Sequence, residues 1–566
     1  MRYFFKSFLG REPEDIREFL SASATIFNDK ILFSQKVDGE VCKYSYKQYK
    51  NDIDALGTEF LSRNFGGKAI IVMGENCYTW ALVYMTVICG VGTIVPVDKN
   101  AGPEKLAEIA GICEAAAVFC SDCSADSLEG LPEGVERYAF SDVAELVESG
   151  RARLNDGDGR YLIAHIDSDE TAIISFEKKP SDKLVGTMLS HRNVCSMLYR
   201  ASGLLNMGER DVVLSVLPLH HMYEAFCGLL APIYFGASAV FGGGIKNLVR
   251  DMNEARPTAI VCTPLIAKAI YKRVKELASG FAIEKKTALA AASVVGGRAA
   301  TAIRKRMYAE LHDRFGGMLE KLYLCGAGAS ETASGLVEYG FDVICEYGLT
   351  EFGFLLAVSS SSRGQKSPVC VPLPGGIADI YNIKEDGTGE IRYKGDNVIL
   401  GYFKDPEKTV ETIRGGWFYT GDMGYIDRNG LLHVTGRKKN TIVNAGGKNI
   451  IPEELEARLG KSCFVKECVV VGIINDRRKD YDLVAVIYPD REAFEEEYGE
   501  GYTEAVVEKE LEAAVEHANS LVQSYKHIES FVIRNTAFEK NRVGKIKRAG
   551  VAASVASEHK GRPVRE

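Results

Sequence analysis

This 566-residue sequence lacks an excess of positive charge. It contains 69 Lys and Arg residues and 77 Asp and Glu residues, which gives a net charge of −8. That balance implies no general basic face and argues against a nucleic-acid partner. Internal repeats and low-complexity segments are also lacking. The composition, 46% hydrophobic and 26% charged, is typical of a soluble globular protein. The length suits a large domain plus a smaller one.

A signal peptide is not expected at the N-terminus, because Lys6 and Arg11 interrupt it before a long apolar core develops. One segment, 76–97, contains no charged residue and is long enough to span a bilayer. Its polar residues and glycines divide it into a predicted helix at 79–89 and a predicted strand at 93–97. We therefore expect a buried helix–strand pair and no transmembrane segment, and we leave peripheral membrane contact open.

The fourteen cysteines are scattered along the chain without the regular spacing of a disulfide framework. Many lie inside apolar runs, as Cys227 and Cys262 do. This pattern suits reduced core thiols in a cytoplasmic protein. Cys120 and Cys123 form a single CxxC pair. Because no second pair or nearby histidine accompanies them, we interpret them as buried or incidental thiols and not as a zinc site.

Short apolar strands alternate with helical stretches, which is typical of parallel sheets covered by helices. The predicted strands lie at 69–73, 93–97, 117–120, 171–176, 212–217, 237–241, 259–262 and 322–325. From 366 to 403 short strands and glycine-rich turns indicate an antiparallel or barrel-like part. After residue 440 the pattern indicates a small α+β domain. The predicted fold class is therefore α/β, with stacked parallel-type sheets in a large N-terminal domain.

Two short motifs lie at a fixed distance in the C-terminal part of the chain. The first, residues 419–422, ends an aromatic run in a turn that could aim the Asp422 carboxylate at two adjacent hydroxyls, as on a ribose. Alone, it is more commonly a plain surface turn, because Asp and Gly both favour turns. The second, Arg437-Lys438-Lys439, follows a short apolar strand and precedes a glycine turn at 446–447 and a helix that begins at Pro452.

Residues 347–351 read Tyr-Gly-Leu-Thr-Glu and follow a predicted strand at 343–345. Such a turn presents an aromatic face, a hydroxyl and a carboxylate together. This set suits stacking on adenine, contact with a phosphate and coordination of Mg²⁺, a hard cation that prefers oxygen ligands. A plain strand-terminal turn is the competing interpretation.

In their order along the chain, 347–351, then 419–422, then 437–439, the motifs resemble those of the superfamily of adenylate-forming enzymes. This superfamily includes acyl-CoA synthetases, luciferases and the adenylation domains of peptide synthetases. The resemblance implies that Asp422 holds the ribose hydroxyls of the adenylate, that Arg437 also contacts the nucleotide and that Lys439 is a hinge. It further implies a large AMP-binding domain at 1–436, barrel-like over 366–436, a hinge at 437–439 and a small mobile domain at 440–566.

The same resemblance makes Tyr347 and Thr350 nucleotide contacts, with Thr350 also catalytic, and makes Glu351 both a magnesium ligand and a catalytic residue. His221 lies in a segment that looks like the one in long-chain acyl-CoA synthetases where an aromatic residue or histidine flanks the substrate carboxylate. The apolar run at 225–235 would suit the wall of a lipid tunnel or plain core.

Three further segments are similar to family motifs. Gly326 and Ala327 resemble the small-residue loop beside the adenine, where small side chains let a planar ring approach the backbone. Lys545 resembles the catalytic lysine, which would offset the charge that builds as a carboxylate attacks a phosphate. Gly446 and Gly447 would approach the CoA thiol after the small domain turns. A glycine-rich turn at 326 and a charged loop at 545 are the plain alternatives.

The chain departs from the family at the phosphate loop, residues 177–186. The family has a Ser/Thr/Gly-rich loop that ends in Pro-Lys-Gly and wraps the β- and γ-phosphates. Here Val185 replaces the family lysine, and Glu177 and Asp182 would repel a polyphosphate. Residues that could supply replacement cations are Lys178, Lys179 and Lys183. Glu346, where a glycine is usual beside Tyr347, is a smaller departure.

We therefore predict an ATP-dependent acyl-CoA synthetase of the long-chain fatty acid type, which uses Mg²⁺ and takes a fatty acid, ATP and CoA. Two alternatives stay open. The altered loop favours a non-catalytic or weakly active homologue that binds nucleotide or acyl-adenylate. Acyl transfer to a carrier-protein thiol is the other.

Overall fold

The computed structural model describes residues 10–121, 128, 130–178, 183–278, 297–325, 330–360, 369–385, 387–445, 448–475, 478–540, 546–548, 550–558 and 562–563. The chain forms two compact units. The larger comprises Met1–Ala378 and Tyr393–Tyr419, and the smaller comprises Asp379–Arg392 and Thr420–Glu566.

The strands, in chain order, are β1 (Ile31–Val37), β2 (Glu40–Ser45), β3 (Ala69–Met73), β4 (Thr93–Val97), β5 (Ala117–Cys120), β6 (Glu136–Ala139), β7 (Thr171–Lys178), β8 (Leu184–Ser190), β9 (Val212–Ser215), β10 (Ser238–Phe241), β11 (Ala259–Cys262), β12 (Lys321–Cys325), β13 (Asp342–Tyr347), β14 (Ala357–Ser360), β15 (Val369–Pro372), β16 (Ile377–Tyr381), β17 (Gly389–Lys394), β18 (Gly401–Tyr402), β19 (Ile413–Arg414), β20 (Trp417–Ile426), β21 (Leu432–Arg437), β22 (Ile442–Val443), β23 (Asn449–Ile450), β24 (Val465–Asn475), β25 (Asp480–Pro489), β26 (Ser530–Ile533) and β27 (Arg562–Pro563).

The helices are α1 (Ile16–Phe27), α2 (Tyr46–Ser62), α3 (Tyr78–Ile88), α4 (Pro103–Cys113), α5 (Val143–Asn155), α6 (His191–Ala201), α7 (Met222–Glu224), α8 (Ala231–Phe235), α9 (Leu248–Ala255), α10 (Pro264–Ala278), α11 (Gly297–Met307), α12 (Ala309–Asp313), α13 (Ser330–Glu338), α14 (Pro406–Thr412), α15 (Pro452–Leu459), α16 (Arg491–Tyr498), α17 (Glu504–Ser520) and α18 (Val551–Glu558). A π-helical segment, Ala225–Leu230, joins α7 to α8.

Nine strands of the larger unit are hydrogen-bonded in the order β15-β14-β13-β12-β11-β9-β10-β1-β2. The strands from β13 to β1 in this order pair in parallel. All four residues of β11 are buried, as expected for a parallel strand that is covered on both faces. Because the carboxyl ends of parallel strands meet at one edge, the turn after β13 lies at the edge where open α/β sheets bind their ligands.

A second sheet of the larger unit has the order β18-β8-β7-β4-β3-β5-β6. Its strands β3 to β7 pair in parallel, whereas β8 is antiparallel to both β7 and β18. Apolar residues of this sheet, among them Ile71, Val95 and Val118, pack into one core with α4 residues such as Leu106. The β7–β8 pair therefore lies on a firmly packed base.

The smaller unit contains a four-stranded sheet in the order β24-β25-β26-β27. Leu455 of α15 and Leu511 of α17 pack against Val470 and Ala485 of this sheet. The same unit contains the antiparallel pairing of β20 with β21, in which Asp422 lies opposite Arg437 and the register shifts by one residue between Met423 and Gly424. The mixture of helices and antiparallel strands agrees with the α+β character predicted for the C-terminal part.

The structure confirms the α/β class, with a large N-terminal part of sheets and helices and a smaller C-terminal part. Segment 76–97 forms α3 and β4, as predicted. Within the described ranges, no helix is both long and apolar enough to cross a membrane. Compactness says nothing about motion, so the hinge at 437–439 and the division into 1–436 and 440–566 stay predictions.

Candidate active site

The turn after β13 has a geometry that only glycine at position 348 permits. A Cβ on Gly348 would lie 1.5 Å from the carbonyl oxygen of Phe354, and a backbone atom cannot move aside as a side chain can. The chain then enters a 3-10 turn, Thr350–Phe352. The buried Asn397 amide donates to the carbonyl oxygens of Phe352 and Leu355 at 3.3 and 2.9 Å. These contacts fix the backbone that carries the predicted nucleotide and metal residues.

Thr350 and Glu351 each have a defined partner within the larger unit. The Thr350 hydroxyl donates to Glu177 Oε1 at 2.8 Å. The Tyr402 hydroxyl donates to Glu351 Oε1 at 3.0 Å. Burial, followed by the charge of Glu351, raises the pKa of Tyr402, so this hydroxyl is a donor at any physiological pH.

The chemistry of Glu351 fits a magnesium ligand. Mg²⁺ in nucleotide enzymes usually takes one or two protein carboxylates and completes its shell with phosphate oxygens and water. Glu351 supplies one such carboxylate, which Tyr402 orients through one oxygen. In the described part of the chain, no cluster of three or more His, Cys, Asp or Glu side chains could hold a metal by itself. A metal here would therefore depend on the phosphates of its nucleotide.

His221 precedes α7, and its ring lies 4.3 Å from the ring of His220, centroid to centroid. Burial lowers the pKa of His221, and the nearby charge of Glu177 opposes this effect without reversing it. Burial, with His221 and Lys105 as smaller causes, lowers the pKa of His220 to about 3. Both rings are therefore neutral at neutral pH, and His221 can offer a substrate carboxylate a hydrogen bond but no charge.

Glu346 is a buried acid directly before the motif. Its side chain is 3% exposed, and the Cys227 thiol donates to its two oxygens at 3.6 and 3.8 Å. Burial raises the pKa of Glu346 to about 8, although Cys227 and Tyr223 oppose the shift. Tyr223 and Cys227 belong to α7 and the π-helical segment, so Glu346 connects β13 with the apolar run that starts after His221.

Both described ends of the altered phosphate loop are strand, residues 177–178 in β7 and residues 184–186 in β8. β7 and β8 pair through Phe176 with Gly186, Glu177 with Val185, and Lys178 with Leu184, so only residues 179–183 connect them. On its other edge β8 pairs with β18, and the Phe403 amide donates to the Gly186 carbonyl at 2.7 Å. The sequence suggested a loop of family length, whereas strand pairing takes up both of its ends.

Asp422 and Arg437, which lie far apart in sequence, face each other in the smaller unit. They are directly paired in the β20–β21 register, and Arg437 Nε lies 2.7 Å from Asp422 Oδ1. Asp422 is 3% exposed. Its amide donates to the Thr420 hydroxyl, which itself donates to the Ile391 carbonyl. A carboxylate held in this way is oriented before any ribose arrives.

Glu390 contacts both this turn and the basic segment 437–439. Its carboxylate accepts from the Gly421 amide at 3.2 Å and from Lys438 Nζ at 2.6 Å. Lys439, the predicted hinge residue, is exposed in the 3-10 turn Lys438–Asn440. Sequence reasoning missed Glu390, because an acidic residue in a short strand carries no signal of burial.

Gly446 and Gly447 lie outside the described residues, but their flanks are anchored. The Asn444 side chain accepts from the Lys448 amide at 2.9 Å, and the Asn444 amide donates to the Lys448 carbonyl at 3.0 Å. The Ala445 amide donates to Asp480 at 2.9 Å. The predicted approach of this turn to a thiol stays a prediction.

Lys545 also lies outside the described residues, between two segments that pair with each other. Lys540 forms an antiparallel bridge with Ile546. Arg548 lies 2.7 Å from Glu456 of α15. Burial lowers the pKa of Arg548, but the hydrogen bond and charge of Glu456 outweigh it, so the net direction is upward. An ion pair thus anchors the end of the segment that carries the predicted catalytic lysine.

The structure brings the predicted residues together in two groups, one in each unit. In the larger unit Thr350 and Glu351 join Glu177 and Tyr402, whereas Tyr347 ends β13 with its ring buried. In the smaller unit Asp422 joins Arg437. Gly326 and Ala327 lie outside the described residues, and the ligand roles of all these residues stay predictions. Tyr402 was missed because its two-residue strand has no recognisable pattern.

Comparison with known proteins gives matches to one enzyme family. The model of the AMP-binding enzyme family matches residues 183–403, and that of the AMP-binding enzyme C-terminal domain matches residues 439–558. The chain is 26% identical to the long-chain-fatty-acid–CoA ligase FadD15 of Mycobacterium bovis, over 96% of this chain and 97% of that protein.

Solved structures share the fold. A fatty acyl CoA synthetase of Mycobacterium tuberculosis superposes with a TM-score of 0.66 at 16% identity, covering 96% of this chain and 99% of its own. The ATP-bound MatB of Rhodopseudomonas palustris superposes with a TM-score of 0.73 at 19% identity, covering 96% and 100%. At these identities the likeness concerns the fold.

Proposed function

Since this chain belongs to the AMP-binding enzymes, we propose that it is an AMP-forming acid–thiol ligase that joins a fatty acid, of the long-chain class, to CoA. The match of both family domains in their usual order, together with a relative named as a long-chain-fatty-acid–CoA ligase over nearly the whole chain, carries this proposal. The acyl class rests on the names of relatives.

The reaction needs ATP because a carboxylate is a poor electrophile. A carboxylate oxygen attacks the α-phosphorus, the bond to the β-phosphate breaks, and pyrophosphate leaves. The thiol sulfur of CoA then attacks the acyl carbon, and AMP leaves with the bonding electron pair. The thiol proton passes to solvent or to a nearby base.

In the larger unit, the fixed turn after β13 supports the first step. Thr350 would contact the α-phosphate, and Glu351, oriented by Tyr402, would hold Mg²⁺, which when bound neutralises phosphate charge. His221 is neutral, so it would position the substrate carboxylate by a hydrogen bond and leave that carboxylate free to act as the nucleophile. This division of roles follows from the direction of its pKa.

In the smaller unit, Asp422 would accept the two ribose hydroxyls, and Arg437 would keep that carboxylate oriented. Lys545 would offset charge where the two anions meet. A turn about the hinge at 437–439 would then withdraw Lys545 and bring the Gly446–Gly447 turn to the thiol. The ion pair of Arg548 with Glu456 supports a defined position for the lysine segment.

Fatty-acid-dependent release of pyrophosphate, with hydroxamate trapping of the activated acyl group, tests the first step. We expect turnover with the native chain and a loss of at least about a hundredfold with Lys545→Ala, because one charged group at the reacting phosphate contributes several kcal/mol. Lys547→Ala is the matched control, since Lys547 lies two residues away and pairs with Glu539 on the surface.

The outcomes separate the alternatives. No turnover above the Lys545→Ala level with acids of any length would refute the ligase proposal, and binding of an acyl-adenylate analogue would then favour a non-catalytic homologue. Pyrophosphate release without formation of acyl-CoA would point to another thiol acceptor, such as a carrier protein. The altered loop at 177–186 is the observation that favours a weakly active homologue, so the experiment tests that alternative as well.

A further inference from the structure

Glu177 stands where an anionic ligand group is expected. It lies at the end of β7, and it accepts the hydroxyl hydrogen bond of Thr350, the residue proposed to contact the α-phosphate. Its charge also acts on His221, the residue proposed beside the substrate carboxylate. Thr350 and His221, which are both proposed to contact substrate anions, are therefore both close to the carboxylate of Glu177.

The surrounding backbone cannot wrap a polyphosphate as a phosphate loop does. Such a loop turns successive amides toward the ligand, but here residues 184–186 lie in β8 and pair with Lys178, Glu177 and Phe176 of β7. Ladder pairing directs amides toward neighbouring strands. The pairing of residues 184–186 with β7 thus commits this part of the backbone to the sheet at the place where Glu177 adds a carboxylate.

Lys183 does not compensate for this charge in the structure. Its ammonium lies 2.8 Å from Asp405, and the hydrogen bond and charge of that carboxylate raise the pKa of Lys183. Asp405 also caps α14 by accepting from the Lys408 amide. Of the three candidate replacement cations, Lys183 is therefore held by the protein's own acid.

We propose that Glu177 makes this site select nucleoside monophosphates over triphosphates, because its carboxylate holds the Thr350 hydroxyl and repels the β- and γ-phosphates. The inference rests on the proposed nucleotide site. AMP and acyl-adenylate place one phosphate near Thr350, whereas ATP places two further phosphates beside Glu177. The chain should therefore bind the adenylate well and the triphosphate poorly.

Calorimetric titration of the full chain with AMP and with MgATP tests the proposal. The ratio of the two dissociation constants, ATP over AMP, is expected to fall about tenfold in Glu177→Gln, which corresponds to about 1.4 kcal/mol, because removing the charge of Glu177 removes its repulsion of the β- and γ-phosphates. Glu177→Asp keeps the charge and should leave the ratio unchanged. The control is Glu133→Gln, an exposed glutamate just before β6 at the far edge of the same sheet.

A fall in the ratio for Glu177→Gln alone supports the proposal. An unchanged ratio in Glu177→Gln, with AMP still bound, overturns it and leaves the proposed function standing. An equal fall in Glu177→Gln and Glu177→Asp also overturns it, because the charge would then be irrelevant. Failure of every variant to bind AMP would overturn the nucleotide site and this inference together.

Discussion

Replacing Glu346 with Gln should make the larger unit progressively more stable than the native chain as pH rises. Burial raises the pKa of Glu346 to about 8 from an ordinary value near 4.5. Between these two values the folded chain keeps a proton that the unfolded chain releases. The free energy of unfolding therefore falls with rising pH, by up to about 1.4 kcal/mol per pH unit.

Glutamine removes this titration and keeps a polar group of nearly the same shape against the Cys227 thiol. From pH 6 to pH 8 the difference in unfolding free energy, variant minus native, should grow by about 2 kcal/mol in favour of the variant. Burial also raises the pKa of Glu224 to about 8. Both proteins share that group, so its contribution cancels in the difference.

Urea denaturation followed by tryptophan fluorescence measures this difference, because both tryptophans of the chain, Trp80 and Trp417, lie in the larger unit. Glu133→Gln, a change of the same kind at an exposed position, is the control. If the Glu346→Gln difference were equally constant from pH 6 to pH 8, Glu346 would be ionised in the folded chain and the reasoning would be refuted.

Two further changes probe the turn after β13. Gly348→Ala should destabilise the larger unit by roughly 3 kcal/mol and abolish activity, because its Cβ would overlap the Phe354 carbonyl. Thermal unfolding measures the loss of stability. The control is Gly111→Ala, where the new Cβ meets nothing within 4 Å. Tyr402→Phe should raise the Mg²⁺ concentration for half-maximal activity about tenfold, because Glu351 loses the hydroxyl hydrogen bond that orients it. An unchanged Mg²⁺ dependence would contradict the role assigned to Glu351.

The alternating apolar strands could be predicted from sequence because each is short, continuous and buried on both faces. β11 has the predicted bounds, 259–262, and all four of its residues are buried. β9 ends two residues earlier than predicted, at Ser215 instead of 217. The difference arises because strand ends depend on hydrogen-bond partners, whereas apolar residues continue into the following turn.

The candidate site could be predicted as a set of motifs but not as a set of contacts. Asp422 and Arg437 were chosen separately, and only the β20–β21 register shows that they form an ion pair. Tyr402 and Glu390 carry no pattern, because their importance comes from partners that are distant in sequence. Local residue types indicate chemistry, whereas orientation depends on long-range pairing.

The altered segment at 177–186 shows why composition alone gave an incomplete picture. Residue types predicted a phosphate loop with unfavourable charges and three replacement cations. The register of β7 with β8 adds that residues 184–186 belong to a strand, and the ion pair of Lys183 with Asp405 shows that one such cation is already engaged. Strand pairing, the carboxylate of Glu177 and the ion pair of Lys183 are the three observations behind the proposed discrimination against a triphosphate. The contacts assigned to the AMP moiety, Thr350 and Asp422, are held in place by the fold.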